Sequence, residues 1–102
     1  MANSEHLQIL QQGVETWNQW RDQQREIIPD LSAVSIQGGD LRRAYLSGTD
    51  LRDAQLIQTD FRGARLIYAR LSEAHLGGAD LRGADLRRAY LYDWWCIYET
   101  DI

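Results

Sequence analysis

The sequence predicts an all-β solenoid with an N-terminal capping α-helix, on the strength of three observations. From Asp30 to Leu91 an aliphatic residue or Phe returns every five residues without a break: Leu31, Ile36, Leu41, Leu46, Leu51, Leu56, Phe61, Leu66, Leu71, Leu76, Leu81, Leu86 and Leu91. Two places before each centre from Ile36 onward stands a small or short residue, beginning with Val34 and Gly39 and ending with Ala84 and Ala89. Residues 4–28 lack this rhythm and carry apolar side chains three and four apart instead. A chain of 102 residues closes a compact globular core only marginally, whereas stacked repeats bury their apolar faces on one another.

The N-terminal segment, residues 1–28, reads as the cap. Leu7, Leu10, Val14 and Trp17 form one helical stripe, which Trp20 extends. Ser4 is the expected N-cap. Gly13 weakens the middle of this single expected helix by about 1 kcal/mol. Pro29 biases Ile28 towards an extended conformation, so the helix should end by about Ile27. The apolar stripe then packs on the open end of the solenoid, which would otherwise expose backbone and core.

A period of five fits neither a helix nor a continuous strand. The small residue and the centre two places later point the same way, as in a short strand. The remaining two residues turn the chain. Glycine at the second of these corner places (Gly38, Gly48, Gly63, Gly78, Gly83) suits a tight turn with positive φ. Corners holding Asp, Gln, Arg or Tyr there are expected to use another turn type.

The strings Gly63-Ala64-Arg65-Leu66, Gly78-Ala79-Asp80-Leu81-Arg82 and Gly83-Ala84-Asp85-Leu86-Arg87 resemble the A(D/N)LXX motif of the pentapeptide repeat family. The leader Trp17-Asn18-Gln19-Trp20-Arg21, followed by Pro29-Asp30-Leu31-Ser32, is similar to that of many cyanobacterial members. The resemblance implies a right-handed quadrilateral β-helix over residues 29–91, with one pentapeptide per side and four per coil, hence about three coils. Residues twenty apart would stack. Phe61 would be the one aromatic inside the coils, between Leu41 and Leu81.

On the outside, that stacking sets Asp40, Asp60 and Asp80 in one column and Arg42, Arg62 and Arg82 two places along. The plain reading is a solvated ladder that fixes register. The sharper one is a basic edge, joined by Arg43 and Arg65, that grips an anionic partner. The interleaved Asp column argues against plain phosphate tracking, so nucleic acid on this edge is the alternative reading and not the expected one. The next side carries Tyr45, Ile67, Tyr68, Arg87 and Arg88, a mixed surface suited to protein contact. The nearly uncharged side with Gln37, Gln55, Ile57, Gln58, His75, Gly77 and Gly78 is the alternative docking face.

After Leu91 the frame slips, and residues 92–102 resume it only in part. Trp94, Trp95, Ile97 and Tyr98 form either a bulky lid or an end that pairs with a second copy, as in the end-to-end dimers common in the family.

Chemistry is sparse. His6 and His75 lack Cys or carboxylate neighbours at ligand spacing, the serines lack a His–Asp partner, and Cys96 has no adjacent base. No enzyme, metal site or cofactor is expected. One Cys excludes an internal disulfide framework, the first dozen residues lack a secretory pattern, and no apolar run reaches the ~18 residues of a membrane helix. A cytoplasmic protein is expected. The net charge of -4 sits at the two ends, because residues 30–91 hold eight acids against nine Arg. A family role in mimicking DNA before topoisomerases, which rests on a long acidic rod, is disfavoured by this short, near-neutral repeat. Nothing in these residues selects the regulators of cyanobacterial cell differentiation built on the same fold. The expected function is a non-enzymatic structural or protein-interaction module, using the sides or ends of the solenoid on an unidentified protein.

Overall fold

The computed structural model describes residues 1–92. Two helices, α1 (Ser4–Gln11) and α2 (Val14–Gln23), stand where one was expected. Gly13 adopts φ 111° and serves as the N-cap residue of α2, a conformation open to glycine at little cost. A residue expected to weaken a helix therefore breaks it. The N-cap of α1 is Asn3 rather than Ser4; its side-chain oxygen accepts the N–H groups of Glu5 at 2.9 Å and His6 at 3.2 Å. The second helix stops at Gln23, short of Ile27. Arg21 Nη1 donates to the carbonyls of Gln24 at 2.9 Å and Ile27 at 2.8 Å, drawing the chain into a strap that leads to buried Pro29.

From Asp30 the chain is a β-helix-type solenoid. Parallel bridges join Asp30 to Asp50 and Asp50 to Arg70, then Arg70 to Tyr90. Three further columns run Ser35–Gln55–His75, Asp40–Asp60–Asp80 and Tyr45–Arg65–Asp85. Every pairing is twenty residues apart and the columns are five apart, so four pentapeptides make one coil. The register that the resemblance implies is the one observed.

One inner pentapeptide, Asp60 to Ala64, accounts for all its backbone donors. The N–H of Asp60 bonds the Gly39 carbonyl in the coil before it, and those of Phe61 and Gly63 bond Asp80 and Arg82 in the coil after. Arg62 N–H bonds the Asp60 carboxylate, and Ala64 N–H closes the turn onto the Phe61 carbonyl. No donor is left over, as buried backbone requires.

The corners correct the expectation of mixed turn types. Ala33, Arg43, Asp53, Gln58, Tyr68, Glu73 and Arg88 all have φ between 57° and 61°, at the same place where other repeats have glycine. With positive φ at the third residue and a bond from the fourth N–H to the first carbonyl, the non-Gly corners share the type II pattern with those at Gly48, Gly63, Gly78 and Gly83. A left-handed residue other than glycine costs roughly 1–2 kcal/mol. Bonding to the following coil offsets that cost: Arg43 N–H reaches Arg62 O at 2.9 Å, and Gln58 N–H reaches Gly77 O at 2.8 Å.

The core is a column of fully buried leucines around Phe61 (0% exposed). Ile36 is the variation on it. An added Cβ at Gly39 would lie 2.5 Å from Ile36 Cγ2, so the β-branched centre and the missing methyl fit as a pair.

Candidate interaction surface

Asp-Leu-Arg or Asp-Phe-Arg occurs at 40–42, 50–52, 60–62, 80–82 and 85–87. In each, the Asp carboxylate accepts the Arg backbone N–H at 3.1–3.2 Å and faces its guanidinium, with the shortest contacts between 2.6 and 2.8 Å. The Asp braces the corner, and the Arg clamps the Asp through its two-pronged fork. Successive coils are linked as well, Arg42 to Asp60 at 3.8 Å and Arg62 to Asp80 at 3.7 Å. The Arg42 side chain and then its N–H hold the Asp40 carboxyl down at about 2, and the Arg82 side chain does the same for Asp80. Asp50, Asp60 and Asp85 are lowered by Arg52, Arg62 and Arg87.

This geometry divides the arginines singled out in the sequence. Arg42, Arg62, Arg82 and Arg87 each face their own carboxylate. Arg43, Arg65 and Arg88 form no ion pair among the described residues. Arg65 does not join the edge formed by Arg42 and Arg62. It lies over the ring of Tyr45, 4.4 Å from the centroid. Arg88 lies over Tyr68 at 5.9 Å. Both pairs are residues twenty apart, so stacking one coil, ~4.8 Å, above another brings each cation onto its ring. Ile67 sits half-buried between these pairs, and Tyr68 is 48% exposed. The structure thus gathers Tyr45, Arg65, Ile67, Tyr68 and Arg88 on one side.

Of the cap residues, Leu10 and Trp17 are buried, while Leu7, Val14 and Trp20 pack partly buried against the core. Trp94, Trp95, Ile97 and Tyr98 lie outside the described residues.

Several contributors were missed in the sequence. Asn18 receives the Tyr45 N–H on Oδ1 at 2.8 Å and donates Nδ2 to the Arg43 carbonyl at 3.1 Å. Trp17 Nε1 donates to Tyr45 O at 2.8 Å. His6 Nδ1 accepts Asp30 N–H at 3.0 Å, and Asn3 N–H donates to Asp30 O at 2.9 Å. These groups take the places that a preceding coil would fill. Arg21 and Arg25 of the leader line the hollow beside Tyr45 and Arg65, and burial lowers the Arg21 guanidinium below its ordinary value. The recurrent Asp-x-Arg spacing could have revealed the braces; no period marks Asn18 or His6.

Among the described residues no group of His, Cys, Asp or Glu is placed to hold a metal ion. No helix there is long and apolar enough to cross a membrane. A family model described as pentapeptide repeats matches residues 30–67 and 64–93, in eight copies. A search of curated proteins returns no match. Among solved structures, the chain is similar to Rfr23, a pentapeptide repeat protein from the cyanobacterium Cyanothece 51142, with 27% identity and a TM-score of 0.37 over 74% of this chain and 63% of that one. It is also similar to HetL, a pentapeptide repeat protein involved in heterocyst differentiation regulation from Nostoc sp. strain PCC 7120. There the identity is 27% and the TM-score 0.34, over 72% of this chain and 46% of that one. The chain thus spans less than two thirds of the length of either.

Proposed function

The chain belongs to the pentapeptide repeat family, and on that premise we propose that it is a non-enzymatic interaction module of the cytoplasm. It works as a right-handed quadrilateral β-helix, residues 29–91, whose side bearing Tyr45, Arg65, Ile67, Tyr68 and Arg88 binds a protein partner. Residues 1–28 cap the stack. One observation carries the reading: the arginines of the Asp–Arg pairs, Arg87 on this side among them, are committed to bracing corners, whereas Arg65 and Arg88 lie on tyrosine rings without an ion pair among the described residues. Aromatic and Arg side chains are the groups enriched in protein interfaces. The paired columns offer little net field to a phosphate chain, so the Arg42–Arg62–Arg82 edge is a register ladder in this proposal. Residues 92–102, with Trp94, Trp95, Ile97 and Tyr98, supply either a lid or a homodimer end.

The test is capture from the native host with three baits: the wild-type chain, Tyr68→Ala/Arg88→Ala, and Asp40→Ala/Arg42→Ala on the ladder. The expected result is a partner retained by the wild type and the ladder variant but lost from the Tyr68/Arg88 variant. Loss from the ladder variant alone would overturn the assignment of the side.

A further inference from the structure

We propose that the groove between the strap after α2 and the Tyr45–Tyr68 corner takes an extended, acidic peptide segment of the partner. This rests on the protein-binding reading of that side and names the chemistry it would recognise. Two adjoining hollows of about 330 and 340 Å³ form the groove, with Arg21, Arg25 and Ser47 lining both. Arg65 and Tyr45 stand at one end, and Ile28 and Ile67 lie along the other.

The charge is complementary to carboxylates. Three guanidinium groups, those of Arg21, Arg25 and Arg65, face the groove with a single acid, Asp22, in its lining. None of the three forms an ion pair among the described residues. Two of them rest on rings, Arg65 over Tyr45 at 4.4 Å and Arg21 over Trp20 at 5.7 Å. A guanidinium laid on a ring keeps N–H donors in its own plane, directed away from the ring edge, and that fork matches a carboxylate. Arg21 uses Nη1 on the strap carbonyls, so it fixes the groove wall as well as charging it.

The same contacts favour peptide over single-stranded nucleic acid. Base binding needs open aromatic faces, and here the two aromatics of the lining, Tyr45 and Tyr68, each carry an arginine. Exposed Ile28 (68%) instead offers an apolar site for the aliphatic side chains that alternate with acids in an extended peptide.

Fluorescence anisotropy with a fluorescein-labelled decapeptide of alternating Glu and Leu tests the proposal. The comparison probes are its Lys-for-Glu counterpart and a labelled dT oligonucleotide of equal length. The acidic peptide should bind, more weakly as NaCl rises, and the Lys peptide should not. Arg25→Gln/Arg65→Gln should weaken binding at least about tenfold, with an unchanged circular dichroism spectrum. Arg43→Gln, which removes an unpaired charge from a different corner, should change it less than about twofold. No binding of the acidic peptide, equal weakening by Arg43→Gln, or tighter binding of the oligonucleotide would each overturn the proposal. If the captured partner depends on Tyr68 and Arg88 but the acidic peptide fails to bind, the groove is wrong and the protein-binding side stands. If the peptide binds while capture ignores that side, the reverse holds.

Discussion

Tyr45 and Arg65 occupy the same place in successive coils, and their backbones are satisfied by different means. The N–H of Arg65 bonds the Ala44 carbonyl and its carbonyl accepts Leu46 N–H, both from the neighbouring coil's backbone. The N–H of Tyr45 bonds Asn18 Oδ1 and its carbonyl accepts Trp17 Nε1–H, both from side chains of α2. Asp50 and Asp30 differ similarly, with the His6 side chain and the Asn3 backbone N–H serving the outer coil. Inside the stack, any sequence with the right period supplies the partner. At the end, individual side chains must imitate a coil that is not there. The interior is generic and the boundary is specific.

Substitutions on either side of that boundary sharpen the contrast. Phe61→Ala, in the middle coil, should destabilise by about 3–5 kcal/mol in urea titration. A loss under ~1 kcal/mol would mean that the neighbouring leucines refill the space. Asn18→Ala should cost about 1–3 kcal/mol, because it strands the part-buried Tyr45 N–H. Hydrogen exchange should accelerate at Tyr45 well before Arg65; equal protection at both would contradict a specific boundary.

Two threonines in the place of the usual alanine carry the comparison to a single oxygen. Thr59 donates its hydroxyl to the Ile36 carbonyl of the coil before it. The Thr49 hydroxyl, in the first coil, is buried with no partner. Thr59→Val should therefore cost about 1 kcal/mol, while Thr49→Val should be neutral or stabilise by about 1 kcal/mol. Equal losses at the two sites would show that the Thr49 oxygen is satisfied in solution.

The smallest effect belongs to the ladder. The folded carboxyls of Asp40 and Asp80 sit near 2, below the ~3.9 of a free Asp. Their contribution is present above pH ~4 and is lost as the pH falls from there towards 2. Thermal midpoints should decline over that window, and Asp40→Asn/Asp80→Asn should flatten the decline. An unchanged slope in the variant would assign acid sensitivity to other carboxylates.

The five-residue period marked the inward-facing residues, Phe61 among them, and the family resemblance supplied the four pentapeptides per coil from which the twenty-residue register followed. Two features escaped for opposite reasons. The corners misled because local preference suggested that Arg43 or Tyr68 could not turn as glycine does. The bonds from the following coil override that preference. The leader misled because its three-and-four spacing survives the interruption at Gly13. Arg65 could be placed in its column but not on Tyr45, since sequence spacing fixes the backbone and leaves the rotamer open.

The left-handed corners have a consequence for how such a chain can diversify. Backbone bonds between coils hold the turn, so its most exposed position is released from the demand for glycine. Arg, Asp, Gln, Tyr and Glu all stand there with the same φ. The outside can therefore be rewritten one corner at a time while the leucine column stays as it is. A solenoid built this way is a chassis whose lettering is independent of its frame.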